Sequence, residues 1–286
     1  MRAAVIFGLG SYERDLEPFQ KNPSDTWPTG LPASNRDADV ILIFGGDGTV
    51  HRHLEQLIKL QLPLLVVPCG SGNDFARALG IHNSRISLAA WQAFSQGSGQ
   101  VRTIDLGVIQ SDARAHYFCC VGGVGLDAEV ARRANQLPRW LRGHGGYVVS
   151  LPPALFRFAP LPTKISAAGE EGWKVRSEQP TVLAAFANAA AYGGGMKIAP
   201  HAKMDDGKLD VCVVREIDKF KLFCLFPTVY FGRHLRMPEV EYFQTERLRI
   251  ETEKPLDVYA DGEYVCKTPV EVTVARAALR VIVQSP

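Results

Sequence analysis

The amino-acid sequence predicts an N-terminal α/β domain with a parallel sheet and a C-terminal β-sandwich domain. Strand-like and helix-like runs alternate over residues 1–108, and two glycine-rich segments there each join an apolar strand to a helix. After residue 108 the runs become short and β-branched, with hairpin-like turns between them. We therefore expect domains at 1–108 and 109–286, with the last strand returning toward the first domain.

Hydrophobic periodicity predicts the elements of the first domain. Apolar, β-branched runs predict strands, and apolar residues at helical spacing predict helices. Alternation of the two is typical of a parallel sheet with crossover helices. The segment 8–37 is rich in Pro, Asn, Ser and Asp, which predicts mostly loop. The strands are expected at 3–7, 40–44 and 64–67, and the helices at about 50–60, 74–79 and 87–94.

The second domain is predicted to be mostly sheet. A hairpin-like turn at 168–172 joins two of its strands, and one helix is expected over 218–233. The strands are expected at 116–121, 163–168, 174–175, 182–188, 209–214, 248–253, 256–260 and 270–274.

The composition is typical of a globular protein. The chain has 286 residues, of which 46% are hydrophobic and 22% charged, and its net charge of +2 does not indicate a nucleic-acid binder. No apolar run reaches the roughly 18 residues of a membrane span. Six cysteines show no metal-ligand spacing and lie mostly in apolar runs, as buried thiols do in a reducing compartment. With no leader-like N-terminal segment, we expect a cytoplasmic protein.

The segment Gly45-Gly46-Asp47-Gly48-Thr49 has the layout of a phosphate-binding turn. It lies between a predicted buried strand and a predicted helix. Glycines let backbone N–H groups approach a phosphate, and a helix N-terminus favours negative charge. Asp47 would repel a phosphate, so it indicates a metal ion or a base nearby. A tight turn in which Asp47 only caps the helix is the alternative.

A second turn of this kind lies at residues 68–77. Gly70-Ser71-Gly72 follows a predicted strand, and Asn73-Asp74 is expected to cap a helix that begins at Phe75. Turns that follow neighbouring parallel strands lie side by side at the carboxyl edge of a sheet, where ligands bind, so two of them favour a nucleotide. No Walker A sequence is present, which excludes a P-loop NTPase. A Gly-x-Gly-x-x-Ala match at 123–128 lacks the expected downstream acid and is interpreted as chance, or as a turn entering a helix.

Six ordered segments resemble the catalytic domain of the diacylglycerol kinase family, in its bacterial lipid-kinase branch. The resemblance covers nearly the whole chain after residue 36. It implies an active-site cleft between the two domains and ATP-dependent phosphorylation of a lipid hydroxyl. The segments are Gly45–Thr49, Pro68–Arg77, Ile104–Gly107, Asn188 with Gly193–Gly195, Asp205–Val211 and Asp261–Glu263.

The resemblance also implies roles for single residues. Asp47, partnered by Asp105, is implied to join a water-linked network to a catalytic Mg²⁺. Asp206 and backbone carbonyls near Lys203 and Lys208 are implied to form a second, structural metal site. The residues implied to contact ATP are Gly45, Gly46, Asp47, Gly48, Thr49, Val50, His51, Gly70, Ser71, Asn73 and Asp74. Asp261 and Glu263 are implied to supply the general base and its carboxylate partner, in an order that stays open. Phosphoryl transfer needs these parts: a phosphate cradle, a magnesium ion and a carboxylate that takes the hydroxyl proton.

Other interpretations remain at several positions. Without the resemblance, Asp261-Gly262 predicts a hairpin turn and Asp205-Asp206-Gly207 a solvated turn. Phe7–Ser11 differs from the Asn-Pro-x-Ser-Gly segment of many relatives, and His51 and Ser71 replace the usual Asn and Thr. The alternative functions are an NAD kinase, whose family shares the Gly-Gly-Asp-Gly turn, and a catalytically silent relative that binds nucleotide or lipid.

Residues 130–169 contain no acid and predict the lipid-facing surface. Basic side chains interleaved with apolar and aromatic ones suit a transient contact with an anionic bilayer. A single-stranded nucleic-acid surface and an ordinary solvated face are the alternatives. We expect a lipid substrate at a membrane surface, no nucleic-acid partner, and edge strands compatible with a homodimer. The residues are Arg132, Arg133, Arg139, Trp140, Arg142, His144, Tyr147, Leu155, Phe156, Arg157, Phe158 and Lys164, extended by Tyr230, Arg233, His234 and Arg236.

Overall fold

The computed structural model describes residues 1–111, 114–137, 146–169 and 172–284, with the backbone alone described at 146–148. The chain divides into two compact units, one made of Met1–Asp105 with Arg276–Pro286 and the other of Leu106–Ala275. Both divisions fall inside long strands, Gln100–Ser111 and Val270–Val283. The boundary therefore lies at 105/106, and the end of the last strand belongs to the first unit.

The first unit is built on a parallel sheet. Strand β1 (Ala3–Phe7) pairs with β2 (Val40–Gly45), and β2 pairs with β3 (Leu64–Pro68). The end of the last strand joins β3 in parallel at Val281. The helices of this unit are α1 (Asp47–Leu60), α2 (Asp74–Ala78) and α3 (Ser84–Ser95). The predicted loop contains two short 3-10 helices, Glu13–Asp15 and Glu17–Phe19.

Burial explains why β2 was predictable. Its residues from Val40 to Phe44 are all fully buried, as expected for a continuous apolar run in a parallel sheet. Helix α1 buries Val50, Leu54 and Leu57, which recur at helical spacing, and packs on β2. Because β1, β2 and β3 are parallel neighbours, the turns that follow them lie at the same edge of the sheet.

The second unit is a β-sandwich of two antiparallel sheets, which confirms the predicted fold class. The strands are β4 (Gln100–Ser111), β5 (Arg114–Phe118), β6 (Val121–Gly125), β7 (Leu161–Gly169), β8 (Gly172–Ser177), β9 (Pro180–Ala187), β10 (Leu209–Arg215), β11 (Val240–Thr245), β12 (Arg247–Thr252), β13 (Asp257–Ala260), β14 (Glu263–Lys267) and β15 (Val270–Val283). One sheet has the order β11-β10-β9-β6-β13-β14, and the other contains β8-β7-β12-β15 and the β4-β5 hairpin. Apolar side chains from both sheets, such as Phe118, Phe186 and Leu248, form one buried core.

Helices in this unit were the weakest part of the prediction. Helices α4 (Leu126–Gln136) and α5 (Gly146–Arg157) were not predicted, and Pro152-Pro153 inside α5 hid its periodicity. Gly125 caps α4 with φ +89°, so the Gly-x-Gly-x-x-Ala match is a turn entering a helix. No described helix has both the length and the apolar character needed to cross a bilayer.

The single helix predicted over 218–233 is wrong. The chain forms α6 (Lys219–Leu225) and then two 3-10 helices, Phe226–Phe231 and Arg233–Arg236. Pro227 has no N–H to donate, and Gly232 at φ +67° leaves the helical region, so the α-helix ends before them.

Candidate active site

Glycine turns from neighbouring strands are in backbone contact in the first unit. A Cβ atom added to Gly70 would lie 2.4 Å from Cα of Gly46, so the turns after β2 and β3 touch without side chains between them. A Cβ atom on Gly8 would lie 2.2 Å from Oγ1 of Thr49, which places the turn after β1 there as well. Because only glycine permits such approaches, these residues set the spacing of the three turns.

The stretch from Gly8 to Ser11, where the chain departs from the family pattern, belongs to this arrangement. The Gly8 N–H donates to the Phe44 carbonyl at 2.7 Å. Ser11 Oγ lies 2.8 Å from the Gly8 carbonyl oxygen and 2.7 Å from that of Phe44. Gly10 has φ +90°, and a Cβ there would lie 3.3 Å from the Cys69 carbonyl oxygen. The atypical sequence thus still forms a glycine turn beside the other two.

The carboxylate of Asp47 links the first predicted turn to the second. Asp47 is the first residue of α1, and its Oδ1 and Oδ2 accept hydrogen bonds from the N–H groups of Phe75 at 2.9 Å and Asp74 at 3.0 Å. These donors are at the start of α2, so Asp47 caps that helix from the neighbouring turn. A Cβ on Gly72 would lie 2.8 Å from Oδ2, so glycine there leaves room for the carboxylate.

The predicted cap of α2 by Asn73-Asp74 is wrong. Asn73 has φ +55°, and its side chain instead accepts from the Gly70 N–H at 3.0 Å and donates to the Gly70 carbonyl at 2.6 Å. Asp74 is buried and pairs with Arg77 at 2.9 Å. Asn73 therefore closes the loop, while Asp47 supplies the cap.

The turns leave backbone donors at the N-terminus of α1. The Thr49 and Val50 N–H groups donate to the Gly46 carbonyl at 2.9 and 3.2 Å. Within the residues that the structure describes, the N–H groups of Gly46 and Gly48 have no hydrogen-bond acceptor. This is the arrangement that binds phosphate oxygens at a helix N-terminus. Thr49 and Val50 are buried, His51 is half-buried and Ser71 is exposed; their predicted contacts with ATP stay predictions.

The predicted metal residues Asp47 and Asp105 are both held by backbone N–H groups. Asp105 is buried in β4, and its Oδ1 accepts from the Ala277 N–H at 2.7 Å. In the described ranges, no group of three or more His, Cys, Asp or Glu side chains has the geometry of a metal site. Each Asp47 oxygen already accepts one N–H, which fits a magnesium ion held through water better than direct ligation, since Mg²⁺ keeps several waters.

The loop proposed for the second metal is a turn, as the residues alone predicted. Asp206 Oδ1 accepts from the Lys208 N–H at 3.0 Å, across Gly207 at φ +71°. The other Asp206 oxygen and the carbonyl oxygens of Lys203 and Lys208 are of the donor type that hard cations prefer. The metal role of this loop stays a prediction.

Asp261 sits in a hairpin turn whose carboxylate holds a distant chain segment. Asp261 and Gly262 have φ values of +50° and +84°, which confirms the hairpin between β13 and β14. The Asp261 carboxylate accepts from the N–H groups of Cys119 at 2.7 Å and Cys120 at 2.8 Å. Glu263, at the start of β14, is exposed. The two predicted catalytic acids of this unit thus have different surroundings.

Asn188 holds the same segment from its carbonyl side. Its side chain donates to the Cys119 carbonyl at 3.0 Å, and its backbone N–H donates to the Cys120 carbonyl at 2.8 Å. Asn188 is fully buried. Cys119-Cys120 interrupts the strand predicted at 116–121, and Asp261 and Asn188 satisfy the peptide groups that this break leaves.

An apolar pocket in the second unit was not predicted from the sequence. Its cavity volume is about 80 Å³ when only positions that the centre of a water molecule can occupy are counted, and about 800 Å³ when all the space between atoms out to the solvent is included. Its walls come from α4, α5, α6, the adjoining 3-10 helices, strands β9, β10 and β11, and the loop between β9 and β10. Representative wall residues are Leu151, Leu155, Val182, Met196, Leu225 and Phe226.

Asp127, Tyr192 and His234 are the polar side chains of this pocket. Burial raises the pKa of Asp127 to about 6, although a hydrogen bond from the Tyr192 hydroxyl acts in the opposite direction. His234 is buried with Nε2 3.1 Å from the Ile198 carbonyl oxygen, and burial lowers its pKa. Its Nδ1 is buried without a hydrogen-bond partner among the described residues.

One sequence signal could have located Asp127. It lies inside the Gly-x-Gly-x-x-Ala match, which we interpreted as chance or as a turn entering a helix. A Cβ on Gly123 would lie 2.6 Å from Asp127 Oδ2, so the glycine makes room for this carboxylate. An acid just after a glycine-rich buried strand was the informative feature.

The surface predicted over 130–169 is only partly basic. Arg132 and Arg133 both bind Glu129, at 2.8 and 2.6 Å, so their charges are partly neutralised. Leu155 lines the pocket and His234 is buried, so neither belongs to an exposed patch. Arg139, Trp140, Arg142, His144 and the Tyr147 side chain lie outside the described residues.

Comparisons with known proteins agree with this architecture. The sequence model of the diacylglycerol kinase catalytic domain matches residues 19–109, and that of the YegS C-terminal NAD kinase beta sandwich-like domain matches residues 120–283. A diacylglycerol kinase of Mycobacterium tuberculosis (strain ATCC 25618 / H37Rv) is 35% identical over 248 residues, which cover 86% of this chain and 77% of that protein. These sequence matches therefore define the class as the lipid-kinase family. The chain belongs to the diacylglycerol kinase family, with the YegS-type C-terminal domain.

Solved structures share the fold. A crystal structure of a diacylglycerol kinase from Bacillus anthracis str. Sterne matches with a TM-score of 0.70 at 20% identity, covering 100% of this chain and 97% of that chain. An NAD kinase from Archaeoglobus fulgidus in complex with ATP matches with a TM-score of 0.56 at 14% identity, covering 100% and 94%. At these identities the likeness shows the fold alone.

Proposed function

We propose that this protein is an ATP- and magnesium-dependent lipid kinase that transfers the γ-phosphate of ATP to a lipid hydroxyl. The observation that carries the proposal is the apolar pocket, in a chain that also presents a glycine-turn phosphate cradle. An acyl chain needs aliphatic walls, whereas a dinucleotide needs polar groups along its length. Diacylglycerol is the default acceptor, with a monoacylglycerol, a sphingoid base or phosphatidylglycerol as alternatives.

The first unit supplies the phosphate site. The Gly46 and Gly48 N–H groups and the N-terminus of α1 bind phosphate oxygens, and Asp47 holds the neighbouring turn at the required distance. Asp47 would hold a magnesium ion, which would neutralise phosphate charge when it is bound. The Ala277 N–H donates to Asp105 and orients its carboxylate, which we assign to the same network.

In the second unit we assign different roles to the two candidate acids. Both Asp261 oxygens accept backbone N–H groups, so Asp261 positions the hairpin and the Cys119-Cys120 segment. Glu263 is two residues further on and exposed, so its carboxylate can reach a substrate. Glu263 is therefore the base that takes the proton of the lipid hydroxyl, and Asp261 is the positioning residue.

The polar side chains of the pocket suit the oxygen-rich end of a glycerolipid. Asp127 and Tyr192 form one hydrogen-bonded pair, and His234 Nδ1 is buried without a described partner. A ligand that completes the hydrogen bonds of buried polar atoms in an apolar pocket binds more tightly, because those atoms are costly to leave without partners. Ester and hydroxyl groups of a lipid provide both donors and acceptors for this purpose.

The direct test incubates the protein with radiolabelled ATP, Mg²⁺ and a total lipid extract, and then identifies the labelled lipid. In parallel, NAD replaces the lipid. We expect label in a lipid and none in NADP. A pocket-filling variant, Leu155→Trp, should raise KM for the lipid at least tenfold and leave ATP affinity unchanged, whereas Val175→Trp on exposed β8 should change neither. Labelled NADP, or no label in any lipid, would contradict the proposal.

A further inference from the structure

Helix α5 is apolar on two opposite faces. Leu151, Ala154 and Leu155 are buried, and Leu151 and Leu155 line the pocket. Val149 and Phe156, on the opposite face, are 52% and 56% exposed. A surface helix normally turns polar side chains outward, so an apolar outer face indicates a further apolar partner.

The next helical segment repeats this pattern. Leu222, Leu225 and Phe226 line the pocket, whereas Phe220, Phe223 and Phe231 are 69%, 42% and 72% exposed. Among the described residues, every phenylalanine that counts as exposed lies on α5, α6 or the 3-10 helix after it. Scattered exposed apolar residues are normal, but a concentration of phenylalanines on one pair of elements is not.

The two helices form one surface. The rings of Phe156 and Phe223 lie 6.4 Å apart, and Lys219 Nζ donates to the Phe156 carbonyl at 2.9 Å. We call the exposed side chains of Val149, Phe156, Phe220, Phe223 and Phe231 the phenylalanine face. It lies on the outer side of the elements whose inner side lines the pocket.

Basic residues neighbour the phenylalanine face in the chain. Residues 218–236 contain four Lys or Arg side chains and one acid, Asp218, which caps α6 by accepting from the Lys221 N–H at 2.9 Å. Lys221 pairs with Glu239, whereas Lys219, Arg233 and Arg236 add basic charge, as does exposed Arg157 at the end of α5. Two copies of this chain meeting at this face would bring these like charges together, which opposes self-association.

We propose that the phenylalanine face docks on an anionic lipid bilayer, with its phenylalanines in the interface and its basic residues at the headgroups. Aromatic residues beside Lys and Arg suit this boundary, where apolar burial and attraction to anionic headgroups act together. Docking brings the bilayer to within one helix diameter, about 10 Å, of the pocket that receives the acyl chain. The inference rests on the proposed lipid-kinase function, which names the lipid as substrate.

Vesicle flotation tests the docking without any turnover. The probes are phosphatidylcholine vesicles with and without phosphatidylglycerol, at low and high salt. We expect binding only to the phosphatidylglycerol vesicles, weaker at high salt. Phe220→Ser with Phe231→Ser, and separately Lys219→Glu with Arg233→Glu, should each lower this binding about tenfold or more. Val175→Ser, which alters an exposed valine on β8 of the same unit, should leave it unchanged.

A second readout uses Cys224, the exposed cysteine on α6. A polarity-sensitive dye attached there should shift to shorter emission wavelength with phosphatidylglycerol vesicles, and Cys224→Ser provides the unlabelled control. Unchanged vesicle binding in both double variants, or a doubled mass of the wild type that the phenylalanine variant abolishes, would overturn the proposal. Phosphorylation of a water-soluble short-chain diacylglycerol reports the proposed function separately, and the double variants should retain it.

Discussion

The Asp47 carboxylate accepts a hydrogen bond from the backbone N–H of Asp74 at 3.0 Å, across 27 positions of the chain. This bond joins the glycine turn after β2 to the turn after β3. A second bond, from the Phe75 N–H at 2.9 Å, completes the cap of α2. Asp47, which the sequence predicts to take part in catalysis, therefore also joins the two turns.

Asp47→Asn should lower the free energy of unfolding by about 1–2 kcal/mol. The amide replaces one acceptor with an NH₂ group that faces a backbone donor. Urea unfolding of both proteins measures the change, and Glu55→Gln on the exposed face of α1 is the matched control, expected within about 0.5 kcal/mol of wild type. Equal stability of Asp47→Asn and the control would show that the cap contributes nothing.

Gly70→Ala should destabilise the protein by about 1–3 kcal/mol and weaken ATP binding, because the added methyl group would lie 2.4 Å from Cα of Gly46. Calorimetric titration with ATP and urea unfolding measure the two effects. Gly169→Ala is the control, since its methyl group would make an ordinary contact at 3.5 Å. If both variants bind ATP like wild type, the close approach of the turns is not needed for the nucleotide.

Asp261→Asn and Glu263→Gln should separate positioning from proton transfer. Asp261→Asn loses one of two backbone hydrogen bonds and should unfold at lower urea concentration, with a loss of about 1–3 kcal/mol. Glu263→Gln changes an exposed group, so its stability should match wild type while kcat falls about 10²-fold or more. A stable, inactive Asp261→Asn beside an active Glu263→Gln would reverse the assignment.

Asp127 should make the protein less stable as the pH rises toward neutrality. Its pKa of about 6 in the folded protein exceeds the ordinary value of 3.8, so between these values the folded state holds a proton that the unfolded chain has lost. The stability from this group is complete below about pH 3.8 and is lost as the pH rises through about 6. A difference of about two pKa units corresponds to roughly 3 kcal/mol.

Asp127→Asn should remove this decline, as measured by urea unfolding from pH 4 to pH 7. Glu216→Gln, an exposed acid in the same unit, should keep the wild-type profile. In wild type the Tyr192 hydrogen bond stabilises the charged carboxylate of Asp127. Tyr192→Phe removes this bond and should therefore raise the pKa of Asp127 further. Parallel pH profiles for wild type and Asp127→Asn would rule out a raised pKa.

Local pattern was sufficient where neighbouring residues decide the structure. The apolar run of β2 and the Asp261-Gly262 turn follow from residues adjacent in the chain, so periodicity and turn chemistry located them. The 3-10 helix after α6 differs from the single helix expected over 218–233 because Pro227 has no N–H to continue the α-helical hydrogen bonds. Helix α5 was missed because its two prolines and its apolar faces do not read as an amphipathic helix.

The sequence by itself determined the fold class, the glycine turns and the family, because each depends on residue types at short, ordered spacings. Only the tertiary structure decided which partners the acids have. Asp47 binds the start of α2, Asp261 binds Cys119 and Cys120, and Asp127 joins Tyr192 in an apolar pocket. These contacts join positions 27 to 142 residues apart, and the hydrogen bonds and burial that define them exist only once the chain has folded.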